Sequence, residues 1–273
     1  MKTRPVVALV VLAVLLFSAA AAAQFGRRGQ RFRQPRAVLA TPADFEGAWH
    51  YCRAVYTQNP RGDGGGWSTD YPSADVNLSI RFSELTKTSV GFDDSGYPKH
   101  LIVRLTDPEL FRCPFIMMQE VGALYFSDED AAALRQYLLK GGFLWVDDFW
   151  GSYAWAVWEN EIQKVFPPSE FPILDVPSTH PIMRTLFDVE AVPQIPSINQ
   201  YWSGGTSERG ADSAVVHTRA IADANGRIMV MMTHNTDVSD SWEREGEDPR
   251  YFYEFSVNGY AVGINILLYS MTH

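Results

Sequence analysis

Cysteine is scarce in this chain: only Cys52 and Cys113 occur among its 273 residues. Neither has a second cysteine or a histidine at the spacing of a thiolate-based metal site, which excludes a structural zinc centre of that kind. Neither shows the His-paired setting of a cysteine nucleophile. Both lie in apolar segments, a context that favours two buried thiols, with a disulfide bridge as the alternative if the protein is exported.

Several motifs of well-defined chemistry are also missing. The sequence has no GxSxG nucleophile elbow, no P-loop, no GxGxxG dinucleotide motif and no HExxH zinc motif. The glycine run at 64–66 lacks the lysine and the hydroxyl residue of a phosphate loop. No internal repeat is visible, so a repeat architecture is not indicated.

Basic residues are few outside the N-terminus. The chain has 23 Lys and Arg against 32 Asp and Glu, and seven of the basic residues but none of the acidic ones precede position 38. The remaining body therefore carries 16 basic and 32 acidic residues. Such a surface repels phosphate backbones, so nucleic acid is excluded as a partner, and cations or small polar ligands are favoured.

The N-terminus has the order of a secretory signal peptide. Lys2 and Arg4 precede an apolar run at 6–17, and three alanines precede Gln24. The run is shorter than a membrane-spanning helix needs, so we expect cleavage after residue 23 and an exported, periplasmic or secreted protein, with retention as an anchor as the alternative. Residues 24–40 form a basic linker that we expect to be disordered, and 41–273 form a single domain. No stable membrane span is expected after cleavage.

Apolar periodicity in the body predicts alternating strands and helices. Strands are predicted at 50–57, 100–105, 115–118 and 143–146, and helices from Ser73, from Ser127, near 155–165 and at 259–270. Ser127 and Asp130 form a capping-box pattern. The pattern predicts an α/β fold with a mostly parallel sheet and helices on both faces. Apolar runs around Asn225-Gly226 predict an added C-terminal hairpin whose two-residue turn has positive φ at both residues.

Polar residues concentrate directly after predicted strands, where ligands bind in sheets of this class. The candidate site residues are Asp70, Asp147, Asp148, Trp150, His180, His234, Asn235 and Asp237. Adjacent carboxylates such as Asp147 and Asp148 repel, so helix capping, ligand or cation binding and general-base catalysis are all open. Asp147, Asp148 and His234 are the catalytic candidates, and His180 is as well explained by loop ordering as by ligand binding.

Metal ligation has little sequence support. His234 and Asp237 have a generic spacing, and the acidic stretch at 237–248 lacks the glycine and terminal glutamate of an EF-hand. No metal site and no cofactor are therefore predicted. Tryptophan and tyrosine near these loops would suit sugar stacking, although core packing explains most of them.

Several strings resemble an uncharacterised bacterial family, the domain of unknown function 4159 family. They are WSTDYPSADVN, LTDPELF, LLKGGFLWVDDFWG, THPIM, THNTDVSDSWE and NGYAVGINILLYSMTH, and the resemblance spans about residues 45–273. It implies a flavodoxin-like fold of the class I glutamine amidotransferase-like superfamily. In that superfamily a cysteine follows the strand that matches GGFLWVDDFWG, where this chain has Asp147 and Asp148. The resemblance thus implies that glutaminase activity is absent.

Two functions of different classes follow from these observations. The first is a binding module whose strand-end pocket holds a small polar ligand, such as a carbohydrate. The alternative is a hydrolase that uses an aspartate base with His234, with or without a cation. A second alternative is an interaction domain in an envelope complex.

Overall fold

The computed structural model describes residues 38–273. The predicted signal peptide and most of the predicted linker lie outside the described residues. Leu39 and Ala40, which fall within the predicted linker, contact the domain: Leu39 forms a parallel bridge with Ile102, and the Ala40 N–H donates to the Ile102 carbonyl at 2.8 Å. Ordered structure therefore begins before residue 41.

A seven-stranded, mostly parallel sheet forms the centre of the domain. Its strand order is β3-β1-β4-β6-β9-β8-β7, in which the first five strands pair in parallel and β8 pairs antiparallel with both β9 and β7. The strands are β1 (Tyr51–Val55), β3 (His100–Arg104), β4 (Phe115–Gln119), β6 (Phe143–Phe149), β7 (Leu174–Asp175), β8 (His217–Ala222) and β9 (Ile228–His234), and β2 (Thr57–Gln58) and β5 (Leu124–Tyr125) form a separate pair.

Helices cover both faces of the sheet, as predicted. They are α1 (Ser73–Thr86), α2 (Asp128–Leu139), α3 (Gly151–Val165), α4 (Ile198–Trp202), α5 (Asp240–Glu243), α6 (Pro249–Tyr251) and α7 (Val257–Thr272). Helices α1 and α7 bury their apolar residues against one face, and α2 and α3 against the other. Because strand side chains alternate in direction, the strands supply two separate cores. Among the helices described here, none combines the length and apolar character that crossing a membrane requires.

Local sequence signals account for the helix boundaries. Ser127 caps α2 through the predicted capping box, in which its hydroxyl accepts from the Asp130 N–H at 3.1 Å and the Asp130 carboxylate accepts from the Ser127 N–H at 3.1 Å. Such a cap stabilises a helix by about 1 kcal/mol. Gly141 follows α2 with a φ of 108°, a left-handed conformation that glycine adopts without steric cost.

The turn between β8 and β9 differs from its prediction. The strands pair antiparallel, but the Asp223 N–H donates to the Arg227 carbonyl, so the turn is longer than two residues. Gly226 has a φ of 82°, whereas Asn225 does not have positive φ. The prediction for Asn225 was wrong because the Asp223 carboxylate accepts from the Asn225 and Arg227 N–H groups and stabilises the longer turn. Strand β9 also pairs with β6, so the hairpin is part of the main sheet.

Cys52 and Cys113 form a disulfide, so the favoured prediction of two free thiols was wrong. Their Cα atoms are 6.1 Å apart, a normal separation for a bridge. Cys52 lies in β1 and Cys113 lies two residues before the start of β4, and these two strands are neighbours in the sheet. Apolar context alone did not reveal the pairing, because the register of two parallel strands decides which side chains meet.

Candidate functional site

A row of polar side chains crosses the sheet near the carboxyl ends of its parallel strands. Arg53, Gln119, Asp147 and Thr233 lie on β1, β4, β6 and β9 and are all fully buried. Each lies two positions after an apolar residue of the core beneath α1 and α7, and alternation therefore places each on that same face. The core thus becomes polar at the end of the sheet where ligands bind in parallel α/β folds.

Arg53 connects three chain segments to this row. Its guanidinium forms a bidentate ion pair with Asp75 in α1, including an Nε to Oδ2 distance of 3.1 Å. It also donates to the carbonyls of Trp67 and Thr69, at 3.1 and 2.8 Å, and to the side-chain oxygen of Gln119. Because one buried group binds all three segments, Arg53 holds the loop before α1 against the end of β4.

Gln119 continues the network towards the acidic residues. Its oxygen accepts from Arg53, so its amide nitrogen faces the other way and donates to Asp70 Oδ2 at 2.6 Å and to the Ser239 hydroxyl. The Ser239 hydroxyl in turn donates to Asp147 Oδ2 at 2.8 Å. The positive charge of Arg53 therefore sets the direction of each hydrogen bond in this series from Arg53 to Asp147.

Asp147 has hydrogen bonds to both of its carboxylate oxygens. Thr233 donates to Oδ1 at 2.5 Å, and the backbone N–H and hydroxyl of Ser239 donate to Oδ2. Burial raises the pKa of Asp147 to about 7, although these hydrogen bonds act in the opposite direction. Because neither oxygen is free, Asp147 connects β6, β9 and the loop after β9 and is poorly placed to bind a ligand.

Asp148 has a different setting because β6 is irregular at this point. The β6–β9 register shifts between Val146 and Phe149, and Asp148 has a φ of 54°. The Trp150 indole donates to Asp148 Oδ1 at 2.9 Å, while Oδ2 has no hydrogen-bond partner among residues 38–273. Trp150 itself is buried and flanks the start of α3, so it orients Asp148.

Asp70, Asp148 and Asp237 meet although they come from three separate segments. One carboxylate oxygen from each lies within 4.8 Å of the other two, and Asp70 forms a second group of the same kind with Asp240 and Glu243. Asp237 Oδ1 accepts from the Asp240 N–H at 2.8 Å, and its Oδ2 has no partner in the described part of the chain. The structure therefore places four carboxylates, those of Asp148, Asp237, Asp240 and Glu243, around that of Asp70.

Few positive charges balance this cluster. Within residues 38–273, Asp70, Asp147, Asp148 and Asp237 take part in no ion pair, whereas Asp240 pairs with Arg244. Burial and neighbouring carboxylates raise the pKa of Asp148, Asp237 and Asp240 well above the usual range. Uncompensated buried carboxylates are costly, so the site favours protons, a cation or strong hydrogen-bond donors.

His234 and Asn235 lie at the end of β9 but do not hydrogen-bond to the carboxylates. The His234 Nε2 donates to the Gly151 carbonyl at 3.0 Å, and its ring lies between Phe149 and His217. Burial lowers the pKa of His234 to about 4, so the ring is neutral at pH 7. The Asn235 amide accepts from the Gly151 N–H and donates to the Val215 carbonyl, which connects two loops. The predicted pairing of His234 with an aspartate is not formed.

His180 lies at the other end of the sheet. Its ring contacts Tyr269 at a centroid distance of 5.8 Å, and the Tyr269 hydroxyl accepts from the N–H of Ile228, the first residue of β9. The His180 Nδ1 accepts from the Ile182 N–H. His180 therefore orders a loop, and the strand-end prediction was wrong because the segment before it contributes only the two-residue strand β7.

Sequence reasoning missed much of the network. The missed residues are Arg53, Gln119, Glu120, Ser239 and Glu243. Two of them carry a visible signal, since Arg53 and Gln119 are polar residues at inward positions of otherwise apolar strands. The others lie in loops or short helices, where side-chain direction follows no periodic pattern in the sequence.

A groove lies beside the carboxylate cluster that is formed by Asp70, Asp148, Asp237, Asp240 and Glu243. Its volume is about 480 Å³. Its lining residues are Pro72, Ser73, Val76, Asn77, Asp93, Tyr97, His100 and Glu243. Glu243 also belongs to the second carboxylate group, so the groove reaches the cluster, and the ring of Tyr97 is exposed at 61%. The size is in the range of pockets that take small molecules.

Comparison with known proteins gave one family. A family model described as "Domain of unknown function (DUF4159)" matches residues 53–271. The comparison with curated proteins gave no match. The matched range begins at Arg53 and includes all the residues of the polar row, the carboxylate cluster and the groove.

Proposed function

The chain belongs to the DUF4159 family, whose name assigns no activity, and from the geometry of its site we propose that it binds a small, hydroxyl-rich polar ligand at the carboxyl ends of the sheet. The observation that carries the proposal is the convergence of Asp70, Asp148 and Asp237, each of which keeps one carboxylate oxygen without a hydrogen bond and forms no ion pair within residues 38–273. Such oxygens accept strong, charge-assisted hydrogen bonds from hydroxyl or amino groups.

Rigidity of the site supports binding. Gln119 and Trp150 fix Asp70 and Asp148 through hydrogen bonds of 2.6 and 2.9 Å, so these acceptors are ordered before a ligand arrives. Preorganised acceptors reduce the entropy that binding costs. The groove adds an exposed tyrosine ring at Tyr97 and the polar side chains of Asn77 and Asp93, a combination suited to the apolar face and hydroxyl edge of a sugar.

Calorimetric titration tests the proposal. Neutral mono- and disaccharides and linear polyols are titrated into the purified domain in buffer that contains a chelator. We expect one class to bind, and Asp70→Asn to weaken that binding by about tenfold or more, because a hydrogen bond to a charged group is worth about 1.5–3 kcal/mol. Asp188→Asn, on a residue with a side chain 70% exposed, is the matched control. The titration is repeated with added divalent cation, and absence of binding by every class under both conditions contradicts the proposal.

The resemblance to the class I glutamine amidotransferase-like superfamily supports a site at the same end of the sheet. In this chain the matching β6–α3 junction carries Asp148, and both cysteines are joined in a disulfide. A thiolate nucleophile is therefore lacking, and we propose that purified protein releases no ammonia from glutamine. The signal-peptide pattern further supports function in the periplasm or outside the cell.

A hydrolase is the second candidate, and Glu120 is the observation that favours it. Burial raises the pKa of Glu120 to about 7, with Asp70 among the neighbouring charges that contribute, so Glu120 is suited to exchange protons near neutral pH. Unlike Asp147, it is only partly buried. Hydrolysis of a bound glycoside that disappears in Glu120→Gln while binding persists would favour this candidate over the binding module.

A further inference from the structure

We propose that Asp70, Asp148 and Asp237 together bind one hard divalent cation, Ca²⁺ or Mg²⁺, which then contributes to holding the polar ligand. The role of the ion in holding the ligand rests on the proposed function, whereas the ion site is supported independently by the geometry of the three carboxylates. Asp70 comes from the loop before α1, Asp148 from the irregular end of β6 and Asp237 from the loop after β9. The structure assigns the three carboxylates to one ion because one oxygen of each lies within 4.8 Å of the other two, and within residues 38–273 none of the three forms an ion pair with a Lys, Arg or His side chain.

The spacing of the three oxygens fits a shared ion. All three lie within 4.8 Å of one another. Oxygen ligands lie about 2.0–2.1 Å from Mg²⁺ and about 2.3–2.6 Å from Ca²⁺, so two ligands of one ion are separated by at most about 4 or 5 Å. The donor set contains oxygen only, which favours these hard cations over zinc, since zinc prefers nitrogen and sulfur ligands.

The hydrogen bonds at the cluster leave one oxygen of each of the three carboxylates free. Asp148 and Asp237 are each 3% exposed, yet only one oxygen of each has a hydrogen-bond partner among residues 38–273. Asp70 likewise accepts through Oδ2 alone, from Gln119. Two side chains that are more than nine-tenths buried, each with one oxygen that no donor of the described chain satisfies, are an independent sign of a ligand at the cluster.

Neighbouring groups strengthen the same conclusion. Each bonded oxygen is held by a fixed donor: the Trp150 indole for Asp148, the Asp240 N–H for Asp237 and the Gln119 amide for Asp70. Outer-shell donors of this kind orient metal ligands in known sites. The two arginines whose charges act on Asp70 form their ion pairs with other carboxylates, Arg53 with Asp75 and Arg244 with Asp240 and Glu243. A divalent cation would supply the positive charge that the cluster lacks.

Equilibrium dialysis of chelator-treated protein against Ca²⁺ or Mg²⁺, with no organic ligand present, tests the site. We expect one cation per chain, with binding lost in Asp148→Asn and in Asp237→Asn and retained in Asp188→Asn. Failure of the native protein to bind either cation at millimolar concentration would overturn the proposal. Binding that both site variants retain would overturn it as well.

Terbium luminescence provides a second readout that does not require a folded aspartate variant. Because the Trp150 indole is bonded to Asp148, excitation of tryptophan should sensitise Tb³⁺ bound at this site, and Ca²⁺ should suppress the emission by competition. Trp150→Phe should remove most of the emission at saturating Tb³⁺ while Ca²⁺ affinity falls by no more than about 10- to 100-fold. Emission unchanged in that variant would place the ion elsewhere.

The two proposals fail in distinguishable ways. If sugars or polyols bind in the presence of chelator and no cation binds, the ion site is refuted and the ligand site stands. If one cation binds through Asp148 and Asp237 but no polar ligand binds with or without it, the ion site stands and the proposed function is refuted.

Discussion

Replacement of Arg53 should destabilise the domain strongly, because its ion pair with Asp75 is completely buried. Both side chains have no solvent exposure, and the guanidinium also donates to the carbonyls of Trp67 and Thr69 and to Gln119. Arg53→Met keeps much of the volume but leaves a buried carboxylate and two carbonyls without this donor. Breaking a buried pair in this way costs about 3–5 kcal/mol of unfolding free energy.

The loss is measured by urea unfolding followed by tryptophan fluorescence. For a domain of this size it corresponds to a fall in Tm of about 6–20 °C. Arg184→Met is the matched control, because Arg184 and its partner Asp188 are both largely exposed, and it should cost less than about 1 kcal/mol. The double variant Arg53→Met/Asp75→Leu should show a favourable coupling of about 0.5–3 kcal/mol relative to the sum of the single changes.

Two results would refute this reasoning. The first is an Arg53→Met variant whose unfolding free energy lies within about 1 kcal/mol of the native value, which would mean that the buried pair is not formed as described. The second is a double variant with no coupling, which would mean that Arg53 and Asp75 do not interact directly.

Three further predictions concern other parts of the molecule. Reduction of the Cys52–Cys113 bridge should cost about 4 kcal/mol, because it closes a loop of 61 residues, and a large drop in Tm with reductant checks this. Burial raises the pKa of Asp147 from 3.8 to about 7, so its contribution to stability is present below pH 3.8 and lost as pH rises through 7. The Tm measured in chelator should therefore fall between pH 5 and pH 8, and a rise over this range would contradict the assignment. Gly226→Val should lower unfolding free energy by about 1–2 kcal/mol and Asn225→Val by much less, since only Gly226 has positive φ; equal effects in urea unfolding would disagree with the turn.

Element positions were predictable because they depend on short-range patterns. The spacing of Leu78 and Phe82 predicted α1, and the Ser127 capping box predicted the start of α2. The apolar run after Gly142 predicted β6, although the strand continues through both aspartates to Phe149. The apolar pattern ends where the charged residues begin, whereas β4 and β9 pair with β6 beyond that point.

The candidate site was predictable only in part. Reasoning from strand ends placed the segments of Asp148 and Asp237 together at the carboxyl ends of the strands, and the structure does so because β6 and β9 are neighbours. It did not predict that Asp147 would have both oxygens bonded or that the ring of His234 would hydrogen-bond to Gly151. These outcomes depend on the bulge in β6, which changes the direction of side chains without altering the apolar pattern.

The sequence by itself determined the α/β class, the positions of most strands and helices, and the strong acidity of the body, because periodicity, capping and composition are local or additive properties. Only the tertiary structure decided that Cys52 meets Cys113, that Arg53 is bound by Asp75, and that Asp70 joins Asp148 and Asp237. The physical reason is that strand order and register bring together residues far apart in the chain, and the free energy that selects one register is distributed over the whole core.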